Sequence, residues 1–298
     1  MKTIELIGAA WGFGALDAGC ADGPDALRRL DPMACLQAAG LKPAWGPIVR
    51  PEPGDGTGID AIAALCARLS RHCRTRVEED RPFAVLGGDH SCAVGTWSGA
   101  ALAVPGSLGL IWIDAHMDAH TPQTTHTGAI HGMPVAALLG HGDPRLTGLG
   151  RREPKLEPAN LCILGVRSFE PEEPRLLTRL GVRVFGMEEI ERRGLAAVLA
   201  DALELVGRNT RHFGVSIDLD AIDPADAPGV GTPVPGGIHG GELVAALQAV
   251  QGDPRLIGME VAEFNPHRDR DQRTAQLALA LVASAMGAGK AVAHASVS

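Results

Sequence analysis

Short apolar runs bounded by Gly, Pro or Asp recur along almost the whole chain, and they constrain its fold more than any other feature. They cover residues 4–7, 83–86, 108–113, 161–166, 182–185, 213–217 and 256–261. Most are apolar at consecutive rather than alternating positions, so as strands they need cover on both faces, which is the situation of a parallel sheet between helices. Between them lie helical patterns. Ile59, Ile62, Leu65, Cys66 and Leu69 recur at helical spacing within 59–77, and similar stretches span 195–206, 243–250 and 274–286. Strand alternating with helix predicts an α/β protein: a three-layer α/β/α sandwich with a mostly parallel, doubly wound sheet. Stretches rich in Gly and Pro at 51–58, 141–158 and 224–241 are too short or too evenly spread to part the chain, so a single domain over 1–298 is expected.

Composition removes several function classes. The formal charge of −8 excludes a general nucleic-acid surface, which needs clustered Lys and Arg. No apolar stretch approaches the roughly 18 residues of a membrane span, and Glu5 interrupts what would be the apolar part of a signal peptide, so no membrane partner and a cytoplasmic location are expected. Six cysteines (Cys20, Cys35, Cys66, Cys73, Cys92 and Cys162) are scattered without a CxxC pair and read as small buried hydrophobes.

In open α/β sheets, ligands bind beyond the carboxyl ends of the strands. Three of those ends carry polar clusters. Run 83–86 leads into Gly87-Gly88-Asp89-His90-Ser91, run 108–113 into Asp114-Ala115-His116-Met117-Asp118, and run 213–217 into Asp218-Leu219-Asp220. Alternation along an extended backbone puts Asp114, His116 and Asp118 on one side, and Asp218 and Asp220 on one side. Taken singly, a DxD is a turn or a helix cap and a Gly-Gly-Asp is a turn; jointly they converge on one crevice. Carboxylates gathered beside apolar strands repel one another and lose hydration unless cations compensate, so the cluster asks for metal. Carboxylates with imidazoles and no thiolate favour a hard or borderline ion such as Mn²⁺ or Mg²⁺, and six ligands suffice for two ions.

These same segments resemble, in order, the three signatures of the arginase or ureohydrolase family. The likeness extends to Asp22-Gly23-Pro24-Asp25-Ala26-Leu27-Arg28, His131-Gly132-Met133-Pro134-Val135, Gly231-Thr232-Pro233 and Glu263-Phe264-Asn265-Pro266. It implies two Mn²⁺ held by His90, Asp114, His116, Asp118, Asp218 and Asp220, and a homo-oligomer, trimer or hexamer. It also implies hydrolysis of a small guanidino substrate. A guanidinium is a resonance-stabilised cation, so metal-generated hydroxide is the physical requirement. The resemblance gives Asp118 the hydrogen bond to that nucleophile, Glu263 the grip on the substrate cation and His131 the proton transfers.

The segments around His131 and Asp118 look more like arginase than agmatinase, which points to L-arginine giving L-ornithine and urea. Three positions depart from that pattern. Where arginases carry Asn after the third loop ligand the chain has His120; their loop Ser becomes Thr127, and the Asn two residues on becomes Ala129. His120 and Thr127 can still donate to a substrate carboxylate and Ala129 cannot. Glu170 stands where the family places an acid for the α-amino group, and Thr232 belongs to a family substrate segment. The rivals are another ureohydrolase (agmatinase, guanidino-acid hydrolase or formimidoylglutamase) and a catalytically silent metal-binding partner subunit. A nucleotide-binding reading of Gly12-Phe13-Gly14 fails for want of a third glycine at the required spacing.

Overall fold

The computed structural model describes residues 2–287; Met1 and residues 288–298 of the expected single domain lie outside the described residues. Eight strands form one sheet: β1 (Lys2–Ala9), β2 (Leu41–Val49), β3 (Phe83–Gly87), β4 (Leu108–Ile113), β5 (Leu161–Val166), β6 (Arg183–Gly186), β7 (His212–Asp218) and β8 (Leu256–Ala262). Their order is β2-β1-β3-β8-β7-β4-β5-β6 and every pairing is parallel. The expected sandwich is therefore present, with an all-parallel sheet. Strand β2 escaped the sequence reading because Leu41-Lys42-Pro43-Ala44-Trp45-Gly46-Pro47-Ile48-Val49 carries two prolines and is only half buried. It sits at the sheet edge, where proline is tolerated because no ladder bond is lost.

The helices Gly58–Glu78, Leu195–Arg208 and Arg273–Met286 lie close to their predicted positions, while the pattern at 243–250 divides into the helix Gly240–Ala246 and a 3₁₀ turn, Leu247–Val250. The helix Cys92–Ala103 gave no periodic signal because residues 92–101 are buried on all sides. It packs against the sheet so closely that a Cβ on Gly214 of β7 would lie 2.0 Å from the Trp97 ring. With no tyrosine in the chain, the largest core side chains are Trp11, Trp97 and Trp112 among aliphatic neighbours. Among the described residues no helix is long and apolar enough to cross a membrane. The cysteines are free, and five of the six are buried as expected; Cys35, on the outer face of the short helix Pro32–Ala38, is exposed. The four central strands β3, β8, β7 and β4 end side by side, and their carboxyl ends deliver the polar loops to one place.

Candidate metal centre and substrate pocket

The loop after β3 starts with a backbone only glycine permits: a Cβ on Gly88 would lie 1.8 Å from the carbonyl oxygen of Trp11. That approach lets Gly88 N donate to Ala9 O and Asp89 N to Trp11 O, so β1 and β3 share one turn and His90 is aimed inward. Asp89 turns away from His90. It accepts from Gly14 N (2.9 Å), from Ser91 N (3.0 Å) and from the Ser91 hydroxyl, and so anchors the loop 11–14.

The strand-alternation argument for the other two clusters does not survive. β4 ends at Ile113, and beyond it the backbone bends, with Asp118 in the left-handed region (φ 49°). Asp218 ends β7 by capping the 3₁₀ turn Leu219–Ala221, accepting from Asp220 N at 2.8 Å. Side chains converge through turns rather than through pleating. Glu263, just past β8, is likewise left-handed (φ 67°). Such backbone costs on the order of 1–3 kcal/mol per residue and persists only where surrounding contacts dictate it.

The result is a two-lobed cluster. His90, Asp114 and Asp218 offer ligand atoms within 4.8 Å of one another, and so do Asp114, His116 and Asp220, with Asp114 common to both. His90 Nδ1 lies 3.3, 3.2 and 3.3 Å from oxygens of Asp114, Asp118 and Asp218, yet no aligned hydrogen bond reaches it, and Asp118 Oδ2 is likewise buried without a partner. His116 Nδ1 stands 3.1 Å from Asp220 Oδ2. Burial and the neighbouring Asp114 push Asp118 up to about 7, and burial with Asp220 pushes Asp218 well above the carboxylate range. A lone pair facing three carboxylates is repulsive unless a cation lies between them, so the donor set fits divalent ions. The same carboxylates are fixed by neighbours: Asp114 Oδ2, which faces His90, accepts from Trp112 Nε1 (2.9 Å) and Asp114 Oδ1 from His116 N (2.7 Å), while Asp220 Oδ2, which faces His116, accepts from the Thr232 hydroxyl (2.9 Å).

Beside this centre, Glu263 Oε1 accepts from His90 N (2.8 Å) and His131 Nδ1 (2.9 Å), while its Oε2 is buried and unpartnered. Burial opposes a charge on His131, but the Glu263 carboxylate outweighs it and lifts the imidazole to about 10.

A cleft of about 190 Å³ opens from the centre to the surface, lined by His116, Asp118, Asp218, Asp220, His131 and Thr232 within and by His120, Thr125, His126, Thr127, Ala129, Glu170 and Leu16 further out. It suits one small molecule. At the outer end His120 Nε2 donates to Glu170 (2.9 Å), and the buried Glu173 accepts from Ala119 N (3.1 Å) and Glu170 N (3.1 Å). Thr127 Oγ1 accepts from Ala129 N (3.2 Å), and Ala129 brings only a methyl group. Leu16, 75% exposed, stands on the rim.

Every predicted site residue therefore lines the cleft or borders the centre. Sequence reasoning missed the residues behind them: Trp112, Ser216 and Glu260, which read as ordinary strand positions, and Arg167. That guanidinium donates to the carbonyls of Asp220 (2.7 Å), Ala221 (3.1 Å) and Val234 (2.6 Å) and pins the loop after β7. A charged residue directly after a buried strand was the only signal for it.

Such a sheet, with a two-lobed histidine and carboxylate cluster beyond its central strands, defines the class of α/β hydrolases built around a binuclear metal site. Within that class the chain belongs to the arginase family, whose model matches residues 2–287. It is 38% identical to an arginase of Brevibacillus brevis over 96% of this chain and 98% of that one, and 36% identical to an arginase of Bacillus caldovelox over 96% and 99%. The crystal structure of an arginase from Bacillus cereus superposes with a TM-score of 0.90 at 35% identity, covering 96% of this chain and 99% of that chain. Membership makes the chain a hydrolase of amidino bonds.

Proposed function

We propose that this protein hydrolyses L-arginine to L-ornithine and urea with two Mn²⁺ ions, His90, Asp114, His116, Asp118, Asp218 and Asp220 holding them. One observation carries the reading: the unpartnered Glu263 Oε2 is buried next to the two-lobed cluster, a free anion where a guanidinium can lie against the ligands. When bound, the ions supply Lewis acidity and ionise water near neutral pH. The chain's own groups do the rest. Glu263 Oε2 accepts hydrogen bonds from the substrate cation and orients its carbon. Asp118 Oδ2 accepts a proton of the attacking water. His131, whose protonated form Glu263 favours, gives its proton to the departing amine and regains one through the open cleft, while Asp118 releases there the proton it took from water, so that no net proton is consumed. The guanidinium carbon gains one oxygen and loses one nitrogen, and the products are urea and an alkylammonium.

A second reading keeps the chemistry and changes the substrate. Because His120 already donates to Glu170, and the Ala129 side chain offers no donor while its N–H is taken by Thr127, the outer pocket also suits a guanidino compound without an α-amino group. Urea release by metal-stripped protein reloaded with Mn²⁺ is assayed on arginine, agmatine, guanidino acids and formiminoglutamate. A preference for arginine supports the first reading; a preference for another member of the panel replaces it, and no release from any of them leaves a metal-binding subunit without catalysis. The same proposal includes one catalytic domain, a homo-oligomer and a cytoplasmic location, which limited proteolysis, sedimentation and cell fractionation test.

A further inference from the structure

Glu260 lies in the middle of β8, between Val85 of β3 and Ser216 of β7, and is wholly buried. An acid inside a parallel sheet is costly, and it persists where hydrogen bonds satisfy it. Glu260 Oε1 accepts from the Ser216 hydroxyl (2.8 Å), and Oε2 accepts from the Thr96 hydroxyl and lies 3.5 Å from Cys92 Sγ. Nothing in the proposed reaction uses this carboxylate. Its direction is informative, because Ser216 Oγ also lies 3.0 Å from His90 Nε2, and Glu260 Oε1 stands 3.7 Å from the same nitrogen. The opposite ring nitrogen is the unpartnered Nδ1 that faces Asp114, Asp118 and Asp218. The ring plane is set by Trp112, stacked on His90 at 4.1 Å with 19° between planes.

We infer that Glu260, acting through Ser216, is a positioning residue for His90. With its hydroxyl hydrogen on Glu260, Ser216 can only accept from His90 Nε2–H, which leaves the Nδ1 lone pair pointing into the centre. A carboxylate behind a ligating imidazole fixes its tautomer and orientation and raises its basicity; removing such a partner typically costs about 10–100-fold in metal affinity. The inference rests on the binuclear reading above. It goes beyond it in assigning a function to a carboxylate that touches neither substrate nor metal.

The test is Mn²⁺ titration of metal-stripped full-length chains by calorimetry, with metal content after gel filtration as a second readout. Wild type takes up two ions per chain. Glu260→Gln, which keeps size and a carbonyl acceptor, weakens one of the two sites about 10–100-fold and leaves the other unchanged. Ser216→Ala does the same, and the double variant is no weaker than either single one, because both act on one relay. In a His90→Asn background the remaining ion binds equally well with or without Glu260→Gln. The melting temperature of the metal-free protein moves little in Glu260→Gln, which a purely structural role would not allow. Wild-type affinity at both sites in Glu260→Gln and Ser216→Ala, or an equal loss in the His90→Asn background, overturns the relay while leaving the binuclear reading intact. Fewer than two ions on the wild type removes that reading and the relay together.

Discussion

The two ends of one cleft are built on different terms. At the inner end three of the proposed ligand side chains are held twice: Asp114 by Trp112 and His116 N, Asp220 by Thr232 and Ala115 N, and His90 by Ser216 and Trp112. The left-handed backbone at Asp118 and Glu263 is tolerated there because the surrounding bonds leave it no alternative. At the outer end the buried His120 and Glu173 lie beneath a loop, 121–129, whose residues are half exposed or exposed. Rigid elements aim the reacting groups, while the loop can change what it recognises without disturbing them.

That contrast breaks most sharply at Asp118. Asp118→Ala should lower urea release by roughly a thousandfold or more, since the proposed reaction has this one carboxylate both hold metal and accept a proton. Activity near wild type would remove Asp118 from the inner end. His131→Asn should lower kcat by about 10²-fold with a smaller change in KM, the mark of a proton donor needed only in the transition state. A rise in KM alone would place it with the outer residues. His120→Asn should change KM for arginine by up to about tenfold at nearly constant kcat, because it frees Glu170 without touching the centre. A collapse of kcat there would erase the distinction between the ends.

The smallest effect is expected away from the cleft. Lys155 is buried and donates to the carbonyls of Thr147, Arg151 and Glu153 at 2.7, 2.7 and 3.0 Å. Lys155→Met leaves three carbonyls unmet and should destabilise the fold by about 1–3 kcal/mol without altering KM. Burial first, and then the Arg151 charge, pull its ammonium from 10.5 down to about 8. Between those values the unfolded chain binds more protons, so this group's contribution to stability is lowest below pH 8 and rises toward pH 10. The melting-temperature difference between wild type and Lys155→Met should shift in that direction; a constant difference would mean that the ammonium keeps its ordinary pKa.

The centre was legible because its residues sit next to short, continuous apolar runs, and burial of a run determines where its polar end must surface. β2 was hidden by Pro43 and Pro47, and the helix Cys92–Ala103 by its burial on every side. The right residues were also grouped for an incomplete reason: pleating does not extend past Ile113, and turns at Asp118 and Leu219–Ala221 do the gathering.

From its sequence alone the chain specified a parallel α/β sheet, the six histidine and aspartate side chains at its strand ends, and the altered loop at His120, Thr127 and Ala129. Hydrophobic pattern and residue chemistry are local properties and can be read in order along a chain. Only the tertiary structure decided that Asp114 is common to both lobes, that Glu263 keeps one oxygen free, and that Glu260 stands behind His90 through Ser216. Those are relations between strands distant in sequence, and they exist only once the sheet has set β8 beside β7 and β3.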